Sequence, residues 1–216
     1  MKSYQLIVFD WDGTLMDSTA HIVSCMQQAI SDLNFPPLST ETISHIIGLG
    51  LIEAATALYP TRSTEQLKQL ANKYLDIWRN HPNEPPLFDH ATNLLSHLAE
   101  QDFFLAVATG KSRRGLDRVL KSTQLEQFFH ATRCADECFS KPHPQMLEEL
   151  MDFLGVNPKD TLMIGDTEYD LNMATNAGAD SLGISHGAHN KEMLQACNPK
   201  AIVSDLHQIE QWLNCL

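Results

Sequence analysis

Three times along this chain a short apolar run halts at the same kind of punctuation. Leu6-Ile7-Val8-Phe9 stops at Asp10, residues 103–108 stop at Thr109-Gly110, and residues 161–164 stop at Gly165-Asp166. Continuous apolar runs of this length predict strands covered on both faces, as in parallel sheets. Helical spacing follows. Ala91, Leu94, Leu95 and Leu98 mark a helix over 89–99, and further helices are expected over 113–120, 144–154, 169–177 and 205–213. Ser181-Leu182-Gly183-Ile184 adds one more strand. Alternating strand and helix predicts an α/β fold with a Rossmann-like, doubly wound parallel sheet.

Residues 17–84 break that rhythm. Ile22, Met26, Ala29, Ile30 and Leu33 recur at helical spacing after Asp17-Ser18, which offers a cap. Asn34-Phe35-Pro36-Pro37 ends this helix, and a second piece over 40–47 meets Gly48-Leu49-Gly50. A third begins near Leu51, and Leu67, Leu70, Tyr74, Ile77 and Trp78 mark a fourth, bounded by Pro82, Pro85 and Pro86. The expected organisation is therefore an α/β core of residues 1–16 and 85–216, with an all-helical cap inserted at 17–84.

Ligands of open α/β sheets bind beyond the carboxyl ends of the strands. That rule brings Asp10, Asp12, Thr109, Gly110 and Asp166 to one crevice although they lie far apart in the chain. Asp10 and Asp12 are two residues apart, so an extended chain sends both carboxylates to one side. Such a pair repels unless a cation intervenes, and oxygen ligands suit Mg2+. Asp10, Asp166 and the backbone carbonyl of Asp12 are the expected metal ligands, with Asp170 supporting the loop. Lys141, in the rigid turn Ser140-Lys141-Pro142-His143-Pro144, is expected to aim its ammonium into this acidic site. Together with Thr109, Gly110 and the backbone N–H groups that follow, it would hold phosphate oxygens. A carboxylate nucleophile, a second carboxylic acid, a hard cation and a lysine suit phosphoryl transfer. Asp10 is the expected nucleophile and Asp12 the acid and base.

Charge and cysteine content narrow the partners. With 27 acidic and 15 basic residues the formal charge is −12, which argues against a general nucleic-acid binder. No segment is long and apolar enough to cross a membrane, and the N-terminal run meets Asp10 too soon for a signal peptide. Five cysteines, with only Cys134 and Cys138 close together, complete no zinc pattern and fit reduced thiols in a cytoplasmic protein. The expected partner is a small phosphorylated metabolite. Amphipathic helices fit a monomer and a homodimer equally.

These residues resemble the haloacid dehalogenase superfamily, in its phosphoglycolate phosphatase-like group with a helical cap. Asp10-Trp11-Asp12-Gly13-Thr14 matches the first family motif, Thr109 the second, Lys141 the third, and Gly165-Asp166-Thr167-Glu168-Tyr169-Asp170 the acidic fourth. The resemblance implies the same roles for Asp10 and Asp12. The second aspartate, absent from the founding dehalogenases, points to phosphate esters, phosphoglycolate among them. Trp11 stands where relatives usually carry an aliphatic residue and is expected to pack away from the site. Gly110-Lys111 replaces a commoner Ser or Asn. In the family a cap closes over the crevice, and Gly48-Leu49-Gly50 is the stretch expected to approach the substrate. Arg62, Lys68 and Arg79 are the cap's strongest cations, expected on helix surfaces. Two alternatives share the motifs: a sugar-phosphate phosphomutase, and a phospholigand- or partner-binding protein without turnover.

Overall fold

The computed structural model describes residues 4–81 and 84–215, so Pro82 lies outside the described residues. Six parallel strands form one sheet in the order β3-β2-β1-β4-β5-β6. They are β1 (Leu6–Phe9), β2 (Phe104–Thr109), β3 (Ala131–Cys134), β4 (Thr161–Gly165), β5 (Asp180–Ile184) and β6 (Ala201–Val203). The chain runs outward on one side of β1 and then returns to build the other side. β1 is thus central, and the end of that strand is a topological switch point.

Alternate residues of each strand feed two separate cores, the period of two expected of a pleated strand. Ile7, Phe9, Leu105, Val107, Leu162 and Ile164 face one layer. It is made by α5 (Ala91–Glu100), α6 (Arg113–Thr123) and α10 (Leu206–Asn214). Leu6, Val8, Ala106, Ala108 and Met163 face the other, made by α7 (Gln145–Leu154) and α8 (Glu168–Ala177). This is the three-layer arrangement that the continuous apolar runs predict. Trp11 lies in the first core, fully buried, with its indole N–H on the Met16 sulfur at 3.4 Å. Trp212 stacks on Tyr4, closing that layer near β1.

Between β1 and β2 lie α1 (Thr19–Asp32), α2 (Thr40–Ser44), α3 (Leu51–Leu58) and α4 (Thr64–Asn80). They bury their own apolar cluster, with Met26, Ile30, Ile43, Ala55, Leu58 and Leu70 at its centre. A capping box between Ser63 and Gln66 starts α4. The two connections to the sheet run side by side. Met16 pairs with Leu87, the Asp17 N–H donates to the Pro86 carbonyl at 2.9 Å, and the Phe88 N–H donates to the Leu15 carbonyl at 3.0 Å.

Three elements escape sequence reasoning. Strand β3 alternates only weakly, with Thr132 and Arg133 half-buried at a sheet edge, and β6 is three residues long. Helix α9 (Lys191–Ala196) is six residues with one buried side chain. Helix α5 starts at Ala91, later than expected, because His90 adopts a left-handed φ of 72°. The second cap helix stops at Ser44, short of 47.

The packing behind β1 generates a test. Leu94 is fully buried in the first core. Leu94→Ala should cost about 2–5 kcal/mol through lost transfer energy and the residual cavity. Urea unfolding should show a lower midpoint at unchanged slope.

Candidate active site

Phe9 pairs with Val107 on one side and Ile164 on the other, so the ends of β1, β2 and β4 are level. Asp10 follows β1, Thr109 closes β2, and Asp166 follows Gly165 at the end of β4. Lys141 arrives from the turn before α7 across a cis Lys141-Pro142 bond. The structure thus brings Asp10, Asp12, Thr109, Lys141, Asp166 and Asp170 together as buried polar residues in one place.

Lys141 is the hub. Its ammonium, with no side-chain exposure, donates to Asp10 Oδ1 at 2.7 Å and to Asp170 Oδ1 at 2.6 Å. Burial pulls its pKa down, but the two carboxylates outweigh that effect and lift it, so the amine stays charged. The other oxygen of Asp170 accepts from the Thr167 N–H at 3.1 Å and hydroxyl at 2.7 Å, a capping box that opens α8. Asp166 is fixed by the Thr14 hydroxyl on Oδ1 at 2.8 Å and by the Ala188 N–H on Oδ2 at 2.7 Å. Its neighbours leave no room: a Cβ on Gly13, where φ is +81°, or on Gly187 would collide with the Asp166 carboxylate.

Asp10, Asp166 and Asp170 each present a carboxylate oxygen within 4.8 Å of the others, all buried. Three carboxylates against one ammonium leave negative charge unbalanced in a site closed to water. Asp10 Oδ2 is also buried with no hydrogen-bond partner, which protein interiors rarely tolerate. Burial, opposed by Lys141 and reinforced by Asp170 and Asp12, raises the Asp10 pKa to about 7. Burial and the nearby Asp10 and Asp170 carboxylates raise Asp166 as well, against the Ala188 and Thr14 hydrogen bonds. An all-oxygen donor set with an orphaned oxygen and excess negative charge fits a hard divalent cation.

Asp12 stands apart from this cluster. Its Oδ1 accepts from the Ser18 hydroxyl at 2.6 Å, and its Oδ2 pairs with the Lys111 ammonium at 2.9 Å. Ser18, expected to cap α1, makes no side-chain cap; its hydroxyl donates to Asp12 instead. Gly110 has a steric reason as well as the expected one: a Cβ there would lie 2.5 Å from the Leu49 carbonyl oxygen and 2.7 Å from that of Gly48. The glycine stretch of the cap therefore rests directly on the loop after β2, and the Gly50 N–H donates to Ser140 Oγ at 2.8 Å. Thr109 Oγ1 accepts from the Lys111 N–H at 3.2 Å. Lys68 and Arg79 are exposed on α4 as expected, Arg79 beside Asp76, whereas Arg62 sits half-buried in the turn between α3 and α4, over Phe35.

Sequence reasoning missed Ser18, Thr14, Lys111 and the loop 185–189. The last of these was findable, since it follows the apolar run of β5 as the other site loops follow theirs. His189 in that loop forms a second cluster with His45 and Glu168. Its Nδ1 accepts from the Glu168 N–H at 3.1 Å, so the proton sits on Nε2, which donates to the His45 carbonyl at 3.1 Å. Neither ring nitrogen retains a lone pair for a metal. With the Tyr169 hydroxyl on the same carbonyl at 3.0 Å, this cluster latches the cap to the core.

A haloacid dehalogenase-like hydrolase family model matches residues 7–184. The chain belongs to that family. A probable phosphatase, IndB, of Dickeya dadantii is 34% identical over 209 residues, covering 94% of this chain and 91% of the relative. A phosphoglycolate phosphatase of Vibrio parahaemolyticus is 28% identical, covering 96% and 95%. Among solved structures, a haloacid dehalogenase-like hydrolase from Bacteroides fragilis superposes with a TM-score of 0.89 at 26% identity, covering 95% and 99%. The protein is a hydrolase of this family, with a buried aspartate cluster suited to a metal. No helix among the described residues is long and apolar enough to cross a membrane.

The raised carboxylate pKa values give a test. Asp10 protonates more readily folded than unfolded, where about 4 is usual. Its contribution to stability is complete below that value and is lost as pH rises through about 7. A divalent cation competes with the proton for the same oxygens. Added Mg2+ should therefore raise the thermal midpoint clearly at pH 8 and far less at pH 5, by differential scanning fluorimetry.

Proposed function

We propose that this hydrolase is a Mg2+-dependent phosphatase of small phosphate monoesters, acting through an aspartyl-phosphate on Asp10. The observation that carries the reading is Asp10 itself. One of its oxygens is held by Lys141 and the other is buried without a partner, a nucleophile already oriented and short of a ligand. Asp10, Asp166 and the Asp12 carbonyl would hold the cation, with Asp170 supporting through Lys141. The bound ion would supply charge neutralisation for the phosphoryl oxygens.

Asp10 attacks phosphorus in line and the ester P–O bond breaks. Asp12, held in place by Ser18, gives its proton to the departing alcohol oxygen. Asp12 then takes a proton from water, which attacks the acyl phosphate and releases inorganic phosphate with Asp10 restored. Lys141 keeps Asp10 oriented through both steps. Thr109 and the backbone N–H groups at Gly110 and beyond hold phosphoryl oxygens, as preorganised donors do for developing charge. The cap, pressed on Gly110 and latched at His45, excludes water and surrounds the leaving group. The Vibrio parahaemolyticus relative makes phosphoglycolate the first ester to try.

Phosphate release from a panel of monoesters, with and without Mg2+, tests the reading. Turnover should require the ion, and Asp10→Asn should lower kcat on the order of 10^3-fold or more. Near-native turnover by Asp10→Asn would sink the proposal.

A further inference from the structure

Lys111 has no part in the chemistry described so far, yet it occupies the leaving-group side of the site. Its ammonium lies 2.9 Å from Asp12 Oδ2 and 4.8 Å from the centroid of the Trp78 ring, on α4 of the cap. The side chain is 12% exposed, so its charge is only partly screened. It thus spans the gap between the carboxylate that serves the leaving oxygen and the roof above it.

The surroundings of this ammonium are aromatic. His21 stands edge-on to Trp78 at 4.5 Å and to His81 at 4.1 Å. Burial, with His81 and Lys111 nearby, holds the His21 pKa below its usual value, so its imidazole is neutral around pH 7. Tyr74 extends this aromatic surface, its ring centroid 6.0 Å from that of Trp78. The cap's cations are placed otherwise: Arg62 lies over Phe35, Arg79 beside Asp76, Lys73 pairs with Asp32 at 2.7 Å, and Lys68 is exposed on α4. Positive charge at the leaving group therefore comes from the core, through the loop after β2.

Resting on the phosphatase reading, we propose that Lys111 is the specificity-determining residue of the site. It selects monoesters whose leaving group carries a second anionic group, a carboxylate or phosphate, within a few bonds of the ester oxygen. The geometry sets that distance. An ammonium in contact with Asp12 is already beside the atom that departs, and Trp78 closes the space above it. A lysine suits the task because its flexible four-carbon stem lets the ammonium swing from Asp12 toward the substrate anion. The ring of Trp78 keeps attracting the cation through that movement. Leaving groups that are long or neutral gain nothing from Lys111 and meet Trp78.

Two non-hydrolysable ligands of equal length isolate this interaction: 3-phosphonopropionate, which carries a terminal carboxylate, and propylphosphonate, which ends in a methyl group. Calorimetry in Mg2+ should show the wild-type protein binding the first at least about tenfold more tightly, the size expected of one charge-assisted contact. Lys111→Gln should bring the ratio near one, and Lys111→Arg should keep part of it. Steady-state rates on 2-phosphoglycolate and ethyl phosphate should show the same change in ratio, mainly through KM. Thermal midpoints check that the variants are folded. A wild-type ratio near one, or a ratio that survives Lys111→Gln, overturns the role of Lys111. Failure of the wild-type enzyme to release phosphate from any ester overturns the phosphatase reading instead.

Discussion

A lysine ammonium sealed from solvent between Asp10 and Asp170 holds this site together. Stripping water from three charges is costly, and removing one partner from such a group typically costs about 3–5 kcal/mol. The arrangement survives because each carboxylate has other support or another task. Asp170 is anchored by the first turn of α8, while Asp10 ends the central strand and keeps one oxygen unclaimed. The single ammonium therefore ties the end of β1, the start of α8 and the turn before α7 into one unit. Local electrostatics and the global path of the chain depend on the same contact.

The second constraint is the close seating of the cap. Gly110 accepts the Gly48 and Leu49 carbonyls against its own backbone, and the His45 carbonyl receives donors from Tyr169 and His189. Both contacts rest on main-chain atoms of the cap, so the side chains of its inner wall are left free of latching duties. Trp78, Tyr74 and His21 occupy that inner wall. In the proposed reading, selection of the leaving group and attachment of the cap fall to separate residues.

Most of the core fold was readable from residue order, because continuous apolar runs and helical spacing are strong signals over four to ten residues. What escaped was short or at an edge. Three residues of β6 cannot show a period, and Thr132 and Arg133 make β3 look like loop. The gathering of Asp10, Asp12, Thr109 and Asp166 was legible from one rule about strand ends, that of Lys141 from the rigid turn that carries it, and that of Asp170 from its place at the start of a helix. The partners of Asp12 were not. Ser18 reads locally as a helix cap, and Lys111 reads as part of the loop that stops a strand. Only the fold discloses that both turn inward to the same carboxylate. Side chains that reach across a cleft leave no trace in local spacing.

The two connections into the cap leave the sheet as hydrogen-bonded neighbours, with Met16 opposite Leu87. Chains paired in this way lie about 5 Å apart. The sheet therefore meets the whole insertion through a narrow doorway, and nothing in β1 depends on how long the excursion beyond it is. Any compact segment whose ends match that spacing fits the same doorway. In the proposed reading, new preferences for the leaving group are thus open to evolution by exchange of one contiguous stretch of gene, while Asp10 and Lys141 stay in place.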